Sequence, residues 1–167
     1  MKTAIVYYSL DGNCAFVATQ LAERLNADVI RIKLADDKKR KGIIKYLWGG
    51  SMVVFKRRPA IKPVNFDPAP YDSIILGSPV WANSLAAPMR SFLADASITG
   101  KKISLFVCYA GDAGVSLEKF KEMLPGNEII AEAYFHNPVK RNDEKLQKKI
   151  DEYAKVISYR IVPPPTT

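Results

Sequence analysis

Residues 9–14 (Ser9-Leu10-Asp11-Gly12-Asn13-Cys14) set a hydroxyl, a carboxylate, an amide and a thiol around one glycine, directly after the apolar run Ala4-Ile5-Val6-Tyr7-Tyr8. Helical spacing begins immediately downstream. A short polar loop between a buried strand and a helix start turns several unpaired backbone N–H groups toward one point, and the helix dipole favours negative charge there. The chemistry that fits is capture of a phosphate. A plain strand-to-helix turn with Asn or Asp as N-cap uses the same residue types, and this stretch alone does not separate the two.

Two more loops carry unusual side chains. Gly77-Ser78-Pro79-Val80-Trp81-Ala82-Asn83-Ser84 places a tryptophan just beyond an apolar run. An indole there either covers something flat or packs on the domain. Tyr109-Ala110-Gly111-Asp112-Ala113-Gly114 leads with an aromatic and has two glycines, which permit close backbone approach to a ligand or simply a flexible connection.

The elements that must hold these loops are legible from hydropathy. Residues 2–8 are continuously apolar, as in a strand buried on both faces. Residues 29–32, 72–78, 103–109 and 128–135 read as four more strands. Between them, Ala15, Ala18, Leu21, Ala22 and Leu25 recur at helical spacing, with Asn26 as a C-cap. Residues 87–96 and 117–124 and the series Leu146, Ile150, Tyr153, Ala154 and Ile157 give three further helices. Alternation of this kind predicts a parallel sheet with helices on both faces. Ligands of such sheets bind beyond the carboxyl ends of the strands, where strand order reverses. All three loops follow strand ends.

Composition narrows the classes. With 48% hydrophobic and 25% charged residues the chain is globular, and residues 1–162 are expected to form a single domain ahead of a disordered tail, residues 163–167. No apolar run reaches the length of a membrane span and no secretory leader is evident, so the expected location is cytoplasmic. The only cysteines, Cys14 and Cys108, suit a reducing compartment, and a lone histidine, His136, gives little support to a hydrolase triad or a histidine metal site. The net charge of +8 is concentrated: residues 31–62 hold 11 Lys and Arg against 2 Asp, leaving 14 basic and 15 acidic residues elsewhere. That distribution argues against a nucleic-acid-binding protein.

The chain resembles the flavodoxins and their FMN-binding relatives over essentially its whole length. The resemblance rests on Ser9-Leu10-Asp11-Gly12-Asn13-Cys14, against the family's Thr/Ser-x-Thr-Gly-x-Thr phosphate loop, and on Gly77-Ser78-Pro79-Val80-Trp81, against its Pro-x-Trp loop. It implies a three-layer α-β-α sandwich with a five-stranded parallel sheet of order 2-1-3-4-5, of the short-chain type. It further implies that Ser9, Leu10, Asp11, Gly12, Asn13, Cys14 and Ala15 bind the FMN phosphate, with Ser9, Gly12, Asn13 and the backbone amides foremost. Pro79, Val80, Trp81, Ala82 and Asn83 would line one side of the isoalloxazine. Tyr109, Ala110, Gly111 and Gly114 would form the other side. The implied function is electron transfer between redox partners, with an NAD(P)H-dependent quinone reductase as the alternative and a module that has lost FMN as a third reading.

The departures from the family pattern matter. Asp11 replaces a threonine; a carboxylate aimed at phosphate is repulsive, so Asp11 is expected to turn away and cap the following helix. Cys14 replaces a second threonine and is a weaker donor, so the loop should grip mainly by backbone. Asn83 stands where relatives often have glycine, at a peptide that turns over on flavin reduction; asparagine tolerates the left-handed region best among non-glycine residues. In the implied strand order Cys14 and Cys108 sit on strands about 10 Å apart, beyond disulfide reach, and read as packing residues. The basic segment is expected to be a solvated helix rim, a docking patch for an acidic redox partner, or a weak peripheral membrane contact through residues 38–58.

Overall fold

In the computed structural model, residues 1–36, 51 and 58–162 are described. The basic segment 38–58, apart from Ser51 and Arg58, and the tail 163–167 lie outside them. Five strands form one parallel path: β1 (Thr3–Tyr8), β2 (Asp28–Ile32), β3 (Ser73–Trp81), β5 (Lys102–Tyr109) and β6 (Glu128–His136), in the order β2-β1-β3-β5-β6. A two-residue strand, β4 (Ser84–Leu85), pairs antiparallel with the end of β3 and lies off this path. The five-strand order expected from the sequence is therefore present, with β4 as an addition. That piece is too short to register as a hydropathy pattern.

Alternation along the strands decides the two layers. Ile5, Tyr7, Ile75, Phe106 and Cys108 face one side; Val6, Tyr8, Ile74, Leu76, Leu105 and Val107 face the other. On the first side pack α1 (Asn13–Leu25) through Val17, Ala18 and Leu21, and α4 (Glu144–Ile161) through Ile150, Ala154 and Ile157. On the second pack α2 (Ala87–Asp95) through Met89 and Phe92, and α3 (Ser116–Glu122) through Leu117 and Phe120. The three layers of an α-β-α sandwich follow.

Local chemistry sets the helix ends. Asp143 caps α4, its Oδ1 accepting the Leu146 amide at 2.8 Å. Asn26 ends α1 in the left-handed conformation at φ 48°. Gly77 is required by packing: a Cβ there would lie 2.0 Å from Cζ of Phe106, whose ring covers the glycine. Tyr153, buried under α4, donates its hydroxyl to the Leu105 carbonyl at 2.7 Å, and burial pushes its phenol well above the ordinary tyrosine range.

Candidate functional site

Strand order reverses between β1 and β3, and the loops leaving these two strands part there. At that point opens a cavity of about 370 Å³, a size that suits a small organic cofactor. Ser9, Leu10, Asp11, Asn13, Cys14, Pro79, Val80, Trp81, Tyr109 and Ala110 line it, so ten of the sequence-expected residues from all three loops converge. Gly12, Ala15, Ala82, Asn83, Gly111 and Gly114 are not among the lining residues. Cys108, Asn137, Val139 and Lys140 also line it, and sequence reasoning missed these four.

The first loop delivers its donors as a helix start does. Gly12 occupies the cap position of α1 at φ 85°, a left-handed conformation that glycine adopts freely. The first intrahelical bond runs from the Phe16 amide to the Gly12 carbonyl at 2.9 Å, so the amides of residues 13–15 precede the ladder. As a glycine, the N-cap residue brings no side chain to cap α1. The left-handed turn at Gly12 shapes the helix start, and Asp11 is exposed at the cavity wall. Arg31 on β2 donates to the Ser9 carbonyl at 3.3 Å, fixing that peptide. The hydroxyls of Ser9, Ser73, Ser104 and Ser116 are all buried without a hydrogen-bond partner among the described residues, and of these four serines Ser9 alone belongs to the cavity lining. Buried hydroxyls are normally satisfied, and position in the cavity lining is what makes Ser9 a candidate ligand contact.

The second loop is held by Ser78, whose Oγ accepts the Ala86 amide at 2.9 Å and donates to the Pro79 carbonyl at 3.0 Å. Trp81 meets the Tyr8 ring edge-on at 5.6 Å and is only partly buried, leaving indole surface on the cavity. Beyond it, Ala82 and Asn83 turn the chain with φ of 46° and 57°, the two left-handed residues of a tight hairpin between β3 and β4. Gly114 sits against this turn; a Cβ on it would fall 2.6 Å from Cβ of Asn83.

The third loop leaves β5 with Tyr109 stacked on His136 at 4.9 Å and 27° between ring planes. His136 Nε2 lies 2.9 Å from the Ala110 carbonyl and 3.3 Å from Asn137 Nδ2, which ties the ring to both turns. The Tyr109 carbonyl accepts the Asn137 amide at 2.9 Å. Both carbonyls at the start of the loop are thereby turned to the β6 side.

The two cysteines are closer than expected. Both are buried, both line the cavity, and burial, reinforced by the hydrogen bond that the Cys108 S–H makes with Cys14, pushes the Cys108 thiol well above its ordinary range. The separation of about 10 Å applies to strands within the sheet plane. Cys14, however, rides on α1, which packs over the sheet face bearing Cys108, where side-chain-free Gly77 lies between β1 and β5. Both remain free thiols. Among the described residues no cluster of His, Cys, Asp and Glu is arranged to hold a metal, and no helix is long and apolar enough to cross a membrane.

A doubly wound parallel sheet with an anion-receptive helix start and two aromatics at its switch point defines a cofactor-binding α/β protein. The sequence profile described as Flavodoxin matches residues 2–153, and the chain belongs to the flavodoxin family. The fold is similar to that of a flavoprotein from Lactobacillus acidophilus NCFM crystallised with FMN, at 24% identity and TM-score 0.71, covering 84% of this chain and 97% of that one. It is also similar to a candidate flavoprotein from Bacteroides eggerthii DSM 20697, at 24% identity and TM-score 0.73, covering 94% and 98%. Oxidised Flavodoxin 2 from Bacillus cereus aligns at 19% identity and TM-score 0.63, covering 96% and 99%. No curated protein sequence matches the chain.

Proposed function

We propose that this protein holds FMN in the switch-point cavity and carries electrons between redox partners. The buried, unpartnered hydroxyl of Ser9 carries the reading: Ser9 is a cavity residue beside the glycine-capped start of α1, where a phosphate would supply the missing acceptor. FMN, when bound, supplies one- and two-electron chemistry, and the protein supplies position and electrostatics. The amides of residues 13–15 and the positive end of α1 offer a phosphate neutral donors. Among the described residues that line the cavity, Trp81 and Tyr109 are the aromatics available to cover a planar ring. Trp81 is oriented by Tyr8, and Tyr109 by its stack on His136. The concentration of positive charge in residues 31–62 supports a partner with an acidic docking face, since complementary charge speeds encounter.

The test is direct. The purified protein is expected to be yellow, and its apo form to regain a flavin spectrum with one equivalent of FMN. Under anaerobic conditions, NADPH alone is expected to leave that spectrum unchanged until a separate reductase is added. Rapid bleaching by NADPH alone refutes a simple carrier, and failure to bind FMN refutes the whole reading.

A further inference from the structure

The wall that sequence reasoning missed comes from the far end of the sheet. At the end of β6 the backbone turns through Asn137 in the left-handed conformation, φ 43°, and the amides of Lys140 and Arg141 both close on the Asn137 carbonyl at 3.0 Å. The turn is fastened at both sides: the Asn137 amide donates to the Tyr109 carbonyl at 2.9 Å, and the Val139 amide to Asn13 Oδ1 at 3.2 Å. Asn13 is the first residue of α1, so the turn sits on the helix start that faces the phosphate position. Lys140 follows Val139 directly, is exposed, lines the cavity, and makes no ion pair among the described residues.

The charge at this end of the cavity needs such a group. The loop of residues 9–14 contributes one carboxylate, Asp11, and no cation. A phosphate dianion placed there meets neutral amides and a like charge, and the N-terminal dipole of α1 is a weak counterweight in an open, watery site. Among the described residues that line the cavity, Lys140 is the only cation.

We propose that the turn of residues 137–140 is a fourth element of the cofactor site, in which Lys140 is the charge partner of the FMN phosphate and Asn13 is the strut that holds the turn in place. The inference rests on the FMN reading above. It divides the work within the site: the loop of residues 9–14 shapes the cradle through its amides, and a residue more than a hundred positions downstream supplies its positive charge. The preference created is for the phosphorylated flavin over riboflavin.

The experiment measures dissociation constants of the apoprotein for FMN and for riboflavin, at low and high salt, with wild type, Lys140→Gln, Lys140→Arg and Arg141→Gln. Arg141 is the adjacent exposed cation and is not among the cavity-lining residues, so it reports general surface charge. Lys140→Gln is expected to weaken FMN about tenfold, which is one decade or ~1.4 kcal/mol, to leave riboflavin within about twofold, and to flatten the salt dependence of FMN binding. Lys140→Arg and Arg141→Gln are expected to behave as wild type. An FMN constant for Lys140→Gln within twofold of wild type, or an equal loss in Arg141→Gln, overturns the inference while leaving the FMN reading intact. A wild type that binds neither flavin overturns that reading instead.

Discussion

Ser9→Ala should move two observables in opposite directions. Ser9 is 4% exposed and its hydroxyl lacks a partner among the described residues. In the free protein that hydroxyl contributes nothing favourable, because a buried polar group left unpaired costs about 1–3 kcal/mol. Replacement by alanine removes that liability without leaving a sizeable void. The free protein should therefore melt at the same temperature or up to ~4 °C higher, the shift expected for about 1 kcal/mol at this chain length. In the proposed FMN complex the same hydroxyl would face a charged phosphate, and a hydrogen bond to a charged group contributes about 1.5–3 kcal/mol. FMN binding should weaken by roughly 10- to 150-fold. Cys14→Ala is the matched comparison. Its thiol is a weak donor whose neighbour is Cys108, so its loss should weaken FMN less than about threefold. Quenching of FMN fluorescence on titration into apoprotein gives the affinities, and thermal melts of the same samples give the stabilities. The reasoning fails if Cys14→Ala weakens FMN more than Ser9→Ala does. It fails equally if Ser9→Ala lowers the melting temperature of the free protein by more than ~4 °C, which would make the hydroxyl a structural bond.

Three other outcomes follow from the core beneath the site. Gly77→Ala should cost about 1–3 kcal/mol in urea unfolding, because the added carbon meets fully buried Phe106, itself packed on Phe135 at 6.2 Å; combined with Phe106→Leu, the loss should be smaller than the two single losses together. Stability should also decline in alkali. The folded Tyr153 phenol holds its proton well above the usual tyrosine value of 10.0, so its contribution is complete below that pH and is lost as pH rises toward the folded value. Tyr153→Phe should flatten the alkaline limb of a stability–pH curve while removing about 1 kcal/mol at neutral pH for the bond to Leu105; an unchanged alkaline limb would show that another group is responsible. The Cys108 thiol, raised by burial and by Cys14, should react with a maleimide at pH 8 at least about tenfold more slowly in folded Cys14→Ala protein than in urea, read by mass spectrometry; equal rates would contradict its burial.

The elements around the site were legible because each has a local cause. Continuous apolar runs made the buried strands, the spacing of Leu146, Ile150, Tyr153, Ala154 and Ile157 made the face of α4, and polar loops with glycine marked the strand ends. Trp81 was recognisable as an aromatic placed where it is costly to expose, and Tyr109 as the aromatic leading a loop with two glycines. The Asn137-Pro138 pair did carry a turn signal, but nothing local said where that turn would land.

What the sequence by itself determined is the set of parts: a doubly wound sheet, a helix start ready for an anion, and two aromatic loops at strand ends. Tertiary structure alone decided how those parts meet. Cys14 and Cys108 come together because α1 crosses the sheet face, a displacement that distances counted along the sheet do not contain. Lys140 reaches the cavity because β6 ends beside β5 and its exit turn bonds to Asn13, 126 residues earlier. Local propensity acts over a few residues, whereas strand order and helix docking are set by packing across the whole domain, so the positive side of this cavity is written in the fold and not in any one stretch of chain.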